Sequence, residues 1–343
     1  MIKFPKIKEY RQVISTVKRR TGFRGLDDAG EPIYNKYEKL PILKFKGTVK
    51  LHGANASVVR HPDGRLETQS RNKVITPDDD LNGFSKFVFA SSDSWNSVFD
   101  KIETLYQISD KTIIIYGEWC GKGIQKGVGI SQLEKMYVIF AVRVKDQDHA
   151  SWLYPEFTNE ELGDRVYSFN NFKSYEVDID FNNPGLYQNS LVELTLEVEE
   201  ECPVAKSMGV EGIGEGIVWR CVDPNFTSSD FWFKTKGKKH SATKVKVLSP
   251  VNIEKLNSIN EYVDYVCTES RLLQGIEFLK EFNKDLSVRS TGDFLRWFIN
   301  DVMSEEKDTL TENNLTSSDV NKHISNKARN WYFSYLDSIT FEK

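Results

Sequence analysis

The apolar pattern changes character at Ser249-Pro250, and that single break limits what the chain can fold into. Before it, apolar residues come in short runs of strand length; after it, they recur at helical spacing. The candidate strands are 42–51, 54–60, 65–70, 111–119, 135–144, 217–222 and 231–236. His61-Pro62-Asp63-Gly64 is a hairpin turn signal between the second and third. Ile113-Ile114-Ile115 reads as a buried strand run. Strands mixed with helical patterns, without regular alternation, predict an α+β domain built on antiparallel sheets. Proline disfavours helix in the residue before it, so the break reads as a domain boundary. Beyond it, Ser258 and Glu261 have the spacing of a capping box ahead of Tyr262-Val263. Val320, Ile324, Trp331, Tyr335 and Leu336 share one helical face. The expected organisation is therefore an α+β domain over 1–248 and a small all-helical domain over 249–343. The stretch 146–189 is polar and aromatic with weak periodicity, and no function is assigned to it.

A length of 343 residues suits two domains. Hydrophobic residues at 39% and charged residues at 28% describe a globular chain, not a disordered one. The net charge of -4 carries no global basic signature, so a nucleic-acid partner must meet a local patch. Such a patch exists in sequence: lysines 234, 236, 238, 239, 244 and 246 fall in one run without an acid. Cys120, Cys202, Cys221 and Cys267 have neither metal-ligand nor disulfide-framework spacing, and the five histidines do not cluster, which argues against structural zinc. The opening Met-Ile-Lys-Phe-Pro has no apolar signal region, and no window approaches the ~18 apolar residues of a membrane span. A cytoplasmic, reduced protein is expected, in the host cell if the chain is phage-encoded.

Five short motifs stand at strand ends. Lys50-Leu51-His52-Gly53 closes an apolar strand and turns through Gly53-Ala54-Asn55 into the next. On the motif alone a solvated strand lysine is the better reading of Lys50; its place at a tight turn is what could aim it into a cleft. Ser70-Arg71-Asn72 follows the hairpin and would otherwise be a polar turn. Tyr116-Gly117-Glu118-Trp119 ends the isoleucine strand, where Glu118 faces either a pocket or solvent. Gly121-Lys122-Gly123 lacks the spacing of a P-loop. Glu215-Gly216-Ile217-Val218 enters a strand. Lys234 and Lys236 point to one face, because strand side chains alternate with period 2. They are a solvated face or a phosphate clamp.

In that order, the five motifs resemble the covalent nucleotidyltransferase superfamily of ligases and capping enzymes. Lys50-Leu51-His52-Gly53-Ala54-Asn55 and Tyr116-Gly117-Glu118 with Gly123-Ile124-Gln125 are similar to the phage T4 RNA ligase 2 family. Lys135-Met136-Tyr137-Val138-Ile139-Phe140 resembles that family's nucleobase-stacking strand. Glu199-Glu200-Glu201-Cys202-Pro203-Val204-Ala205-Lys206 looks like a stretch of phage RNA ligases. The likeness covers nearly the whole chain, with an ATP-grasp-like antiparallel sheet domain and a helical C-terminal domain where DNA ligases and capping enzymes usually carry an OB-fold. Two positions depart from it: Val49 and Ala141 stand where acids are usual.

The resemblance implies an ATP-dependent RNA ligase that uses Mg²⁺ or Mn²⁺ and acts in RNA repair, as a monomer on RNA ends, nicked duplex RNA or RNA–DNA hybrid. It implies that Lys50 carries AMP and that Glu118, Glu215, Lys234 and Lys236 share the catalysis. Val49, Leu51, Asn55, Arg71 and Phe140 join these five around the nucleotide. Glu118 would hold the ribose, Phe140 would stack on adenine, and Glu118 and Glu215 would serve the metal. Asn55 and Arg71 would position RNA ends. A DNA ligase or capping-type guanylyltransferase, and a non-catalytic RNA-binding descendant of a ligase, are the alternatives.

Overall fold

A computed structural model of the chain describes residues 1–35, 38–146, 149–237, 259–313 and 315–341. The chain divides into two compact units, Met1–Gly237 and Lys238–Lys343. The break at Ser249-Pro250, Ser258 and the lysines from 238 to 246 lie outside the described residues.

The first unit runs β1 (Lys8–Glu9), α1 (Tyr10–Gly22), β2 (Phe23–Leu26), β3 (Pro32–Tyr34), β4 (Ile42–Lys50), β5 (Ala54–Arg60), β6 (Leu66–Ser70) and β7 (Val74–Ile75). Then come α2 (Phe84–Phe89), α3 (Ser92–Tyr106), β8 (Thr112–Cys120), β9 (Met136–Lys145), β10 (Ala150–Leu153), β11 (Val166–Ser168) and β12 (Ser174–Asp180). It ends with α4 (Gln188–Glu200), α5 (Pro203–Ser207), β13 (Gly216–Cys221) and β14 (Trp232–Lys236). One sheet has the order β1-β14-β13-β4-β12; a second has β10-β9-β8-β5-β6-β7, with β11 beside β9. β2 and β3 form a separate ribbon. Pairing is antiparallel except for β1 on β14 and β11 on β9. The fold is thus the α+β class the sequence predicts.

Each sheet has one face in a core and one facing the cleft between the sheets. In β4, Leu43, Phe45 and Val49 are buried, while Lys46, Thr48 and Lys50 alternate to the other side. Gly47 is required there, because a Cβ would lie 2.7 Å from the Trp219 ring. α1 covers the core face with Tyr10, Val13, Ile14 and Val17, the spacing of one helical stripe. Its N-terminus is closed by a capping box between Glu9 and Gln12. On the second sheet Val58, Ile113, Ile115, Tyr137 and Ile139 pack against Phe84, Val88, Trp95, Phe99 and Ile102 of α2 and α3. The stretch 146–189, whose sequence is weakly periodic, holds β10, β11 and β12, and α4 begins in it. β12 pairs with β4 along its whole length, from Ser174 opposite Thr48 to Asp180 opposite Ile42.

The second unit is helical in its described residues: α6 (Ile259–Val266), α7 (Glu269–Glu281), α8 (Thr291–Glu305), α9 (Lys307–Glu312) and α10 (Ser317–Phe341). Val320, Ile324 and Leu336 of α10 are buried in its core, with Trp331 and Tyr335 packed at the margin, as the helical face predicts. Among the described residues no helix is long and apolar enough to cross a membrane.

Candidate active site

The site begins with two glycines that let strands end close together. β13 starts at Gly216, which lies opposite Lys50 of β4 on one side and Lys236 of β14 on the other. Its φ is +152°, and a Cβ there would sit 2.0 Å from the Thr235 carbonyl oxygen, so only glycine fits. The residue before it, Glu215, therefore emerges between two strand-end lysines. Gly53 plays the same part beyond Lys50: a Cβ would lie 2.4 Å from the Trp119 carbonyl oxygen. Its N–H instead donates to Glu118 Oε1 at 2.9 Å.

Glu215 is 3% exposed and is gripped at both oxygens. Lys50 Nζ donates to Oε2 at 2.7 Å, Lys236 Nζ lies 2.8 Å from Oε1, and His52 Nδ1 lies 3.4 Å from Oε2. Burial alone pushes this carboxyl up, but Lys236, Lys50 and His52 outweigh it and hold Glu215 well below its ordinary value. Glu118 moves the opposite way. Burial raises it, the nearby Glu215 charge adds to the rise, and Lys50 only partly offsets them. Burial lowers Lys236, with Lys50 and Lys234 pushing the same way against Glu215. Two carboxylates in one cleft are thereby driven apart in proton affinity, a frequent mark of a reactive site.

Lys234 shares the cleft face of β14 with Lys236 and stands 3.5 Å from Glu9 Oε1. Thr235 between them turns to the core, where the Thr195 hydroxyl and the Trp219 indole N–H reach its oxygen at 2.6 and 3.2 Å. Asn55 lies opposite Glu118 in the β5–β8 ladder. Arg71 is exposed on the turn after β6, a turn held by the Ser70 hydroxyl accepting from the Asn72 and Lys73 N–H groups. Phe140 reaches the cleft through an irregularity. The register between β8 and β9 skips it, pairing Gly117 with Ile139 and Tyr116 with Ala141. A bulge re-aims a side chain in this way, and Phe140 joins the cleft-side cluster with Tyr116 while Ile139 stays in the core.

The structure thus brings Lys50, Glu118, Glu215 and Lys236 together and lines the same cleft with Lys234, Asn55 and Phe140. Val49 and Leu51 do not reach it by side chain; both are buried in the core. The sequence reading gave His52 no role, although it stands in the Lys50-Leu51-His52-Gly53 motif and alternates back to the face of Lys50. Glu9 and Phe4 were missed as well, and no local motif marks either. For a divalent cation the donor set is two carboxylates. Magnesium or manganese held mainly by water and phosphate suits such a set. Glu118, with only Oε1 engaged by the Gly53 N–H among the described residues, is the more available; Glu215 would have to exchange a lysine.

A buried carboxylate between strand-end lysines thus stands between two mainly antiparallel sheets. The RNA ligase family model matches residues 44–236, more than half of the chain, and the chain belongs to that family. No curated protein matches it. Solved structures of Naegleria gruberi RNA ligase are similar. The form with pyrophosphate is 18% identical at a TM-score of 0.42, covering 70% of this chain and 58% of that one. Two mutant forms with ATP and Mn are 15% and 16% identical at TM-scores of 0.41 and 0.43. They cover 68% and 70% of this chain, which spans 56% and 58% of theirs.

Proposed function

We propose that this chain is an ATP-dependent RNA ligase of the T4 RNA ligase 2-like type, working through a lysyl-AMP intermediate on Lys50. The observation that carries the reading is the three-strand array of Lys50, Glu215 and Lys236, with contacts of 2.7 and 2.8 Å.

In the first step the Lys50 amine, in its neutral form, attacks the ATP α-phosphorus; a P–N bond forms, the bond to pyrophosphate breaks and pyrophosphate leaves. Lys236, with Lys234, neutralises charge developing on the phosphates. Glu215 orients the Lys50 amine, Glu118 holds the ribose and Phe140 stacks on adenine. When bound, Mg²⁺ or Mn²⁺ would draw charge from the phosphates, with Glu118 and Glu215 holding its waters. In the second step a 5′-phosphate oxygen attacks the AMP phosphorus and the P–N bond breaks, freeing Lys50. In the third, a 3′-hydroxyl attacks the 5′-phosphorus and AMP leaves. Asn55 and Arg71 hold these ends.

The helical second unit favours an RNA-joining enzyme over a DNA ligase or capping enzyme. A non-catalytic RNA-binding descendant would have no need of a buried carboxylate held between two lysines. The test has two stages. Protein incubated with α-labelled ATP and Mg²⁺ or Mn²⁺ should carry covalent label; absence of label with either metal sinks the ligase reading. Three pre-adenylylated nicks are then compared: all RNA, all DNA, and DNA with ribonucleotides only on the 3′-hydroxyl side. RNA on the 3′-hydroxyl side should seal faster, because a site built to bind the 2′-hydroxyl rejects the analogue lacking it. Equal rates on all three would leave a polynucleotide ligase without RNA preference.

A further inference from the structure

Behind Phe140 the cleft is closed by the first residues of the chain. Ile2 is tied to the second sheet at both backbone groups: its N–H donates to Gln69 Oε1 at 3.3 Å, and its carbonyl accepts from the Tyr116 hydroxyl at 3.0 Å. Six residues later the segment enters the first sheet, with Lys8 and Glu9 pairing with Phe233 and Lys234. Phe4 lies between these anchors, held extended by the following Pro5. Its ring centroid is 4.9 Å from Phe140, 5.1 Å from Tyr116, 5.7 Å from Trp152 and 5.8 Å from Trp232. Trp152 and Trp232 meet each other at 4.8 Å. One ring thus touches both sheets at the inner end of the cleft.

Phe140 needs such support. It sits at the bulge, where the ladder skips it, so strand pairing does little to fix its direction. Its ring neighbours are Phe4, edge-on at 63°, and Phe169 at 6.3 Å. We propose that Phe4 is a positioning residue for the nucleobase: it forms the back wall of the base subsite and holds Phe140 in its stacking orientation. This rests on the ATP site proposed above. The same segment reaches the phosphate end of the site through Glu9, which faces Lys234 at 3.5 Å while capping α1. The wall is apolar, so it acts on the base and not on the phosphates.

The test is adduct formation against ATP concentration in the full chain, for the wild type, Phe4→Ala and Phe4→Leu, with inhibition by pyrophosphate measured alongside. Phe4→Ala should raise KM for ATP roughly two- to twelvefold, the span an aromatic pair is worth, with kcat changed less than about twofold. Phe4→Leu, which restores apolar volume, should recover part of the loss. Inhibition by pyrophosphate, which has no base, should be unchanged in both. A general loss of structure would weaken pyrophosphate too and would lower the fraction of protein labelled at saturating ATP; that outcome overturns the assignment. So does an unchanged KM. A lower KM also overturns it, because Phe4 would then compete with the base instead of supporting it. If the wild type takes no label, the ATP reading itself fails; if the wild type labels and Phe4→Ala matches it, only the role of Phe4 fails.

Discussion

The two units each bury a charge cluster, and they bury it in opposite ways. In the helical unit Arg271, 1% exposed, is enclosed by three acids. Its Nη2 lies 2.9 Å from both Glu305 and Glu306, its Nε lies 3.4 Å from Asp301, and its Nη1 donates to the Val266 carbonyl at 3.3 Å. Burial would lower this guanidinium, but Glu306, Glu305 and Asp301 raise it instead. In the first unit the sign is inverted: a single carboxylate, Glu215, is surrounded by cations. The lysines are also left partly open, 25% exposed at Lys50 and 16% at Lys236. The cluster around Arg271, its acids 4–16% exposed, ties α7 to the end of α8. The open one keeps an excess of positive charge at a cleft, which is what an incoming polyphosphate requires. Burial of charge is therefore no sign of function by itself; the exposed excess is.

The largest effect that would break this contrast is at Lys50. Lys50→Ala should abolish covalent labelling by ATP while the circular dichroism spectrum stays that of the wild type. Normal labelling in this variant would move the nucleophile elsewhere and leave the open cluster without its purpose.

Next in size is the closed cluster. Removing one partner of a fully buried ion pair strands the others, at a cost of about 3–5 kcal/mol. Arg271→Ala should lower the unfolding free energy of the helical unit, from denaturant titration, by that amount and leave the transition of the first unit in place. A shift below about 1 kcal/mol would mean water or rearrangement relieves the three acids, and the cluster would then not be closed.

Smaller is the separation of steps expected at Asn55 and Arg71. Asn55→Ala and Arg71→Ala should retain most lysyl-AMP formation yet slow sealing by at least tenfold, about 1.4 kcal/mol of transition-state stabilisation. An equal loss in both steps would assign the two residues to the nucleotide and not to RNA ends.

Much of this could be read from sequence, and the failures have physical causes. The seven candidate strands all exist, because each repeats its apolar residues locally. β12 carried the same signal, with Tyr175, Val177 and Ile179 alternating with Glu176, Asp178 and Asp180, but its partner β4 is more than a hundred residues distant. α1 also shows its stripe. What local pattern cannot carry is convergence. Nothing near Glu215 announces that Gly216 admits it between Lys50 and Lys236, and nothing near Phe140 announces a bulge. Phe4 is legible only once both sheets are in place, because its neighbours come from β8, β9, β10 and β14.

The smallest expected effect is on stability, and it sets the two cleft acids against each other. Glu215 is depressed in the folded chain, so its ionisation stabilises the fold. That stabilisation is complete above the unfolded value of about 4.3 and is lost as pH falls through the lower folded value. Glu118 is raised, so the sign reverses: it contributes nothing below about pH 4.3, and its cost grows as pH rises toward its folded value and persists above it. Glu215→Gln should therefore lower the melting temperature at neutral pH, and the deficit should close in acid. Glu118→Gln keeps an oxygen for the Gly53 N–H and should raise the melting temperature slightly at neutral pH, with the gain vanishing near pH 4. Both variants should still lose at least tenfold in adduct formation, about 1.4 kcal/mol. Melting curves across pH, paired with labelling rates at saturating ATP, check all four expectations. If Glu118→Gln were destabilising at neutral pH, the acid would be a structural partner of the Gly53 turn. If it labelled at the wild-type rate, Glu118 would have no part in the chemistry, and the open cluster would reduce to Glu215 and its lysines.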